Sequence, residues 1–265
     1  MKLGFIGTGV ITEAIVTGLL RANADIDRII VSERTRETSH RLAALSPKIS
    51  IDGNNQSIID KSDIVVLAVR PQIAQDVLTG LDIPEHKQVV SLIAALATET
   101  LQGWLGTSAT IVRAIPLPAV AELKGVTVVY PATDAALRLF RPLGPVVSAT
   151  TVGEFDTYAV GSALMGTYFG LLEEVSRWMQ RAGADAEGAQ TYLKYMFLGL
   201  ANTAKDSSDT FDALRIGHST PKGLNEYAFE VFAEEGGLKA VDTALDKLLC
   251  RFAGQDFLKT APSKG

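Results

Sequence analysis

The sequence predicts a doubly wound α/β domain followed by an all-α domain, and three observations lead there. Short apolar runs alternate with amphipathic stretches from residue 1 to about 150. The alternation stops near Val152, and beyond it apolar residues recur only at helical spacing. At 265 residues the chain is long for one domain and short for three, which fits a division into 1–152 and 153–265.

Six strands are expected in the first part, over residues 3–6, 29–32, 64–69, 89–92, 110–114 and 125–130. Each is rich in residues that favour strands and is bounded by polar or turn residues. Helices are expected over 12–22, 37–45, 71–81 and 98–105. Each is long enough to carry the chain back across the sheet in a right-handed crossover, so the strands should run parallel.

From Phe155 the apolar residues recur at helical spacing through Trp178, and again over 189–204 and 224–252. A single helix from Phe155 past Met165, Phe169 and Leu172 would run about 40 Å at about 1.5 Å per residue, unless Gly161, Gly166 or Gly170 breaks it. So long a helix cannot be hidden inside a domain this small. Its surplus apolar face points to a homodimer formed through the helical domain.

Composition removes several alternatives. A net charge of −5 and the lack of any Lys/Arg run argue against nucleic acid or an anionic membrane as partner, since both demand a dense positive face. The one cysteine, Cys250, can form no internal disulfide and no thiolate metal site, so no metal is expected and a reducing compartment fits. Cys250 itself reads as a small apolar residue buried near the end of a helix. The opening residues run straight into a strand without the apolar core of a signal peptide, and no apolar run reaches about 18 residues. Both features lead to the expectation of a cytoplasmic protein.

The first chemical motif is Gly7-Thr8-Gly9-Val10-Ile11-Thr12, which leaves an expected strand and opens an expected helix. Gly7 permits the tight turn, and Gly9 lets the backbone approach a diphosphate. The free N–H groups at the helix start, including those near Val10 and Ile11, face the negative charge. This is the G-x-G-x-x-G pattern of a Rossmann dinucleotide site, with Thr12 in the third glycine position. A threonine there is larger than usual, so the helix is expected to pack more loosely on the strand. The coenzyme should be selected after the second strand, where the signals conflict. Glu33 is spaced to accept hydrogen bonds from the ribose of NAD(H), whereas Ser32, Arg34, Thr35 and Arg36 can surround the 2′-phosphate of NADP(H). Two guanidinium groups against one carboxylate favour NADP(H), with NAD(H) as the alternative.

Further segments carry a resemblance. Phe5-Ile6-Gly7-Thr8-Gly9, Leu67-Ala68-Val69-Arg70-Pro71-Gln72 ("AVKPQ"), Ser91-Leu92-Ile93-Ala94-Ala95 ("SIAAG"), Arg113-Ala114-Ile115-Pro116 ("RxMPN"), Gly161-Ser162 ("SGSGPAY") and Ser219-Thr220-Pro221-Lys222-Gly223 ("TSPGG") follow one another in order. Together they resemble the pyrroline-5-carboxylate reductase family along nearly the whole chain. The resemblance implies an NAD(P)H-dependent reductase that transfers hydride to the C=N bond of a cyclic imine carboxylate, giving a proline-type product. It also implies a cofactor-binding first domain and an interlocked dimer with each site completed at the junction. Val69, Arg70 and Pro71 would border the cofactor, and Ala94 and Ala95 its nicotinamide end. Pro116, Ser162, Ser219, Lys222, Gly223 and Leu224 would face the substrate. Thr220 and Pro221 read either as an anion cradle or as the cap and first turn of a helix.

Three departures fall on the substrate side of this resemblance. Leu117 stands for the asparagine of "RxMPN", Ala163-Leu164 for the "GP" of the helix entrance, and Leu224-Asn225 for a pair of hydroxyl residues. Asn225 would therefore have to hydrogen-bond the imine nitrogen through its amide, with His218, Thr220 or Tyr227 nearby as further candidates for handling the proton. The alternatives are a reductase or dehydrogenase of another imine, amino acid or hydroxy acid on the same scaffold, or a non-catalytic sensor of NADP(H). A β-hydroxyacid dehydrogenase would carry a lysine and an asparagine one turn apart in its central helix, and residues 158–180 contain neither.

Overall fold

The computed structural model describes residues 1–253, and these divide into two compact units. The first comprises Met1–Val160 with the described residues from Leu249 onward; the second is Gly161–Leu248. The division falls one helix later than 152, because the helix that follows Val152 sends Phe155 into the interior of the first unit.

The first unit is an eight-stranded sheet in the order β3-β2-β1-β4-β5-β6-β7-β8. Its strands are β1 (Lys2–Ile6), β2 (Arg28–Ser32), β3 (Ile49–Asp52), β4 (Ile64–Leu67), β5 (Gln88–Ser91), β6 (Ile111–Pro116), β7 (Thr127–Tyr130) and β8 (Val146–Ser148). All six expected strands are present. The unexpected ones, β3 and β8, are short and lie at the two edges. Pairing is parallel except between β6 and β7, where the short connection around Pro118–Glu122 turns the chain back antiparallel. Central strands such as β4 are buried along their whole length, as expected where helices cover both faces. Two large apolar clusters result, one around Phe5, Ile15 and Phe140 and one around Ile6, Leu67 and Ile111, with a small third one around Val128, Ala149 and Phe155.

The crossovers are α1 (Val10–Arg21), α2 (Arg36–Leu45), α3 (Asn55–Lys61), α4 (Pro71–Leu78) and α5 (Thr98–Leu105), and α6 (Asp134–Phe140) links β7 towards β8. α3 was not expected. Its start is held by Asn54, whose side-chain oxygen accepts the Ser57 N–H at 3.1 Å. The strand order reverses between β1 and β4, so a crevice opens at their carboxyl ends.

The last helices are α7 (Val152–Gly161), α8 (Leu164–Arg181), α9 (Ala186–Asp206), α10 (Phe211–Gly217), α11 (Leu224–Glu234) and α12 (Gly237–Ala253). The continuous helix expected from Phe155 past Leu172 is interrupted. Of its three glycines the break falls at Gly161, which ends α7; Ser162-Ala163 turn before α8, which runs on through Gly166 and Gly170. From Gly161 to Phe252 only Ala189 and Leu193 are buried. Large apolar side chains such as Phe169, Trp178, Tyr195 and Phe211 remain exposed. Cys250 is exposed on α12 rather than buried. No helix among the described residues is long and apolar enough to cross a membrane.

Candidate active site

The crevice at the sheet reversal is a groove of about 570 Å³. Gly7, Thr8, Gly9, Val10 and Ile11 border it after β1, Arg34 and Thr35 after β2, Ala68 to Pro71 and Ile73 after β4, and Leu92 and Ala94 after β5. Four consecutive strand ends of a parallel sheet thus converge on one concavity.

The two opening glycines do different work. Gly7 has φ +109°, and a Cβ there would lie 2.5 Å from the carbonyl oxygen of Ala68, so the turn against β4 admits no side chain. Gly9 has φ −87° and open space where its Cβ would stand. It is the N-cap of α1 and makes no side-chain cap hydrogen bond, so the first N–H groups of that helix are available to an anion lying over Gly9.

Thr12 is accommodated beneath the loop. Its side chain is fully buried, and its hydroxyl donates to the Gly7 carbonyl at 2.8 Å, fixing the loop from beneath. Ser32 is buried as well. Its hydroxyl accepts the Gly7 N–H at 2.9 Å, and the Thr8 hydroxyl donates to the Ser32 carbonyl at 3.2 Å. Ser32 and Thr8 therefore brace the loop as well as border the site.

A second groove of about 380 Å³ adjoins the first through Arg34, which borders both. Its other walls are Ser32, Glu33, Arg36, Gly53 and Asn55. The Glu33 carboxylate lies 3.4 Å from Nε of Arg36 and over Gly53, where a Cβ would stand 3.4 Å from its second oxygen. The Gly53–Asn55 turn is held by Asp52, which takes the Asn54 N–H, the Ser57 hydroxyl and the Lys61 ammonium at 2.7–3.0 Å. Those three donors, Lys61 foremost, hold its carboxyl at about 2, well below the usual carboxylate range. Gly53 and Asn55 escaped the sequence reading because β3 and α3 did. The turn cluster Asp52-Gly53-Asn54 with serine three residues after Asn54 was the available signal.

Ala94 borders the main groove, but Ala95 does not. It has φ +59° and borders a separate cavity of about 160 Å³ with Thr98, Glu99, Arg113 and Asp156. Arg113 is buried, donates to Asp156 at 2.8 Å and stacks on Phe155 with its guanidinium carbon 4.4 Å from the ring centroid.

The substrate-side residues His218 to Gly223 form one loop of the helical unit, and Leu224 and Asn225 open the helix that follows. α11 starts at Leu224 with Gly223 as N-cap, so Thr220 does not cap the helix and Pro221 lies outside its first turn. Lys222 has φ +61°, a left-handed conformation at a position where the resembling motif has glycine; Ala95 stands in the same relation to "SIAAG". The Asn225 amide, expected to face an imine, donates to the His218 carbonyl at 2.7 Å. Ser219 donates to Arg215 O at 2.9 Å, Glu226 accepts the Lys222 N–H at 2.5 Å, and Nδ1 of His218 stands 2.7 Å from Leu214 O. A carbonyl can only accept, so Nδ1 carries the proton in this contact. Leu224 and Tyr227 are exposed on α11. Pro116 is buried at the end of β6, and Ser162 lies in the turn between α7 and α8.

Two family models match separate parts of the chain. One, described as NADP oxidoreductase, coenzyme F420-dependent, matches residues 2–95, and that for pyrroline-5-carboxylate reductase dimerisation matches residues 156–253. The chain is similar to pyrroline-5-carboxylate reductases along nearly its whole length. Pyrroline-5-carboxylate reductase 1 of Bacillus spizizenii is 25% identical over 256 residues, covering 92% of this chain and 86% of the relative. Among solved structures, 1-pyrroline-5-carboxylate reductase of Streptococcus pyogenes superposes with a TM-score of 0.82 at 21% identity, covering 95% and 98% of the two chains. Pyrroline carboxylate reductase of Plasmodium falciparum with NADP bound gives 0.80 at 18% identity, covering 95% and 97%. Both share the fold of this chain. Among the described residues no group of histidine, cysteine or carboxylate side chains is arranged to hold a metal.

Proposed function

We propose that this chain is an NAD(P)H-dependent reductase of a cyclic imine carboxylate, of the pyrroline-5-carboxylate reductase type, and that it works as a homodimer in a reducing cytoplasm. The observation that carries the reading is the groove at the β1/β4 reversal, with an uncapped helix start and a glycine open to solvent at the point a diphosphate must reach. When bound, the reduced nicotinamide supplies a hydride to the electrophilic carbon of the C=N bond.

The residues supply geometry and charge. Gly7 and Gly9 bring backbone N–H groups to the diphosphate, with Thr12 and Ser32 holding the turn in shape. Val69, Arg70 and Pro71 close one wall, and Ala94 leaves room at the far end for a flat ring. On the substrate side, Ser219, Thr220, Lys222 and Gly223 form the cradle for a carboxylate. Asn225 acts as a positioning residue, because its amide is engaged with the His218 carbonyl. His218 is the candidate proton donor to the imine nitrogen, acting through Nε2 of its doubly protonated ring while Nδ1 donates to the Leu214 carbonyl. The exposed apolar side chains of α8 to α11 support the dimer.

Steady-state oxidation of NADPH and NADH with Δ1-pyrroline-5-carboxylate and a panel of cyclic imine carboxylates tests the activity. Turnover with at least one of them is expected, together with a solution mass of two chains by light scattering. Tight binding of either coenzyme without turnover on any imine would establish the second reading, a coenzyme-binding sensor, for which the engaged Asn225 amide speaks.

A further inference from the structure

The second groove holds an arrangement that a count of charges does not explain. An acidic residue at the end of β2 ordinarily accepts hydrogen bonds from the ribose hydroxyls of an unphosphorylated coenzyme. Here Glu33 is turned away from the main groove: it borders only the second groove, lies over Gly53 and pairs with Arg36. Arg34 has no carboxylate partner among the described residues, and it stands where the two grooves meet. With the diphosphate at Gly9, the adenosine ribose falls at that junction.

We propose that Glu33 and Arg36 form a coenzyme selector. Arg36 holds the Glu33 carboxylate away from the ribose hydroxyls, while Arg34 and the Gly53–Asn55 turn receive the 2′-phosphate of NADPH. The inference rests on the reductase reading above, and it makes Arg36 act through another residue. Removing Arg36 does two separable things: it subtracts a cation near the phosphate and it frees a carboxylate for NADH. A plain phosphate-binding arginine would do only the first.

The test is calorimetric titration of the purified protein and its variants with NADPH and NADH, supported by thermal shift. Glu33, Arg34 and Arg36 are not buried, so substitution leaves the fold intact. The wild type is expected to bind NADPH more tightly than NADH. Arg34→Ala should weaken NADPH about tenfold and leave NADH within about twofold. Arg36→Ala should also weaken NADPH about tenfold while tightening NADH about threefold, and adding Glu33→Gln should abolish that NADH gain. An NADH affinity unmoved by Arg36→Ala, or a gain that survives Glu33→Gln, overturns the selector while leaving the reductase reading intact. Binding of neither coenzyme by the wild type overturns both.

Discussion

Substituting alanine at Gly7 and, separately, at Gly9 distinguishes a glycine needed by the fold from one needed by a ligand. At Gly7 the new methyl would meet the Ala68 carbonyl oxygen at 2.5 Å, far inside ordinary contact, and no flexible side chain can yield. The backbone at φ +109° adds strain of about 1–3 kcal/mol for any residue but glycine, and the forced shift of β4 adds about 1–3 kcal/mol more. Gly7→Ala should therefore cost about 2–6 kcal/mol in urea unfolding at fixed protein concentration. At Gly9 the methyl meets nothing within 4 Å, and φ is ordinary at −87°. Its only structural cost is a poorer helix cap, about 0.5–1 kcal/mol. Yet the methyl would stand where the diphosphate must approach, so coenzyme affinity should fall at least about tenfold. The two variants thus exchange rank between the unfolding curve and the binding titration. A Gly9→Ala protein that binds NADPH within about twofold of wild type, beside a Gly7→Ala protein of wild-type stability, refutes the roles assigned to both.

Other expectations concern charge and strain. Because the Asp52 carboxyl is held at about 2, the stability it contributes is complete above the unfolded value near 4 and disappears as pH falls from about 4 through about 2. Asp52→Asn should remove on the order of 1–2 kcal/mol at neutral pH and flatten that acid limb in pH-dependent unfolding. Asp156→Ala should destabilise the first unit by about 3 kcal/mol by stranding the buried Arg113 guanidinium, and Arg113→Met in the same chain should recover much of it; a cycle without coupling contradicts the pairing. Lys222→Gly should raise stability by about 1 kcal/mol by removing a left-handed lysine. It should also raise KM for the carboxylate substrate, with a smaller effect on kcat.

The opening loop was legible because its requirements are steric and local. Gly7 and Gly9 occupy fixed offsets between an apolar strand and an amphipathic helix, and few other geometries use that pattern. The edge strand β3 was not. Ile49-Ser50-Ile51-Asp52 is four residues long and needs its neighbour β2 before it becomes a strand at all. Thr12 was judged by volume, whereas its hydroxyl found the Gly7 carbonyl, a partner that exists only once the turn has formed. For Asn225, the sequence showed an amide where the related motif has a hydroxyl. It could not show that a left-handed Lys222 folds the loop so that the amide reaches His218 instead. Cys250 followed hydrophobic periodicity, but α12 does not bury that part of its surface.

With only Ala189 and Leu193 out of solvent between Gly161 and Phe252, the helical half lacks the interior from which a small domain draws its cohesion. Its order must be lent by whatever lies against it, so its melting should depend on protein concentration while that of the finished sheet does not. During synthesis the strands of the sheet all emerge before the helices of the second unit. The helices that follow would stay adhesive until a counterpart arrives, and scarcity of chains, more than any defect in them, would then limit the yield of finished protein.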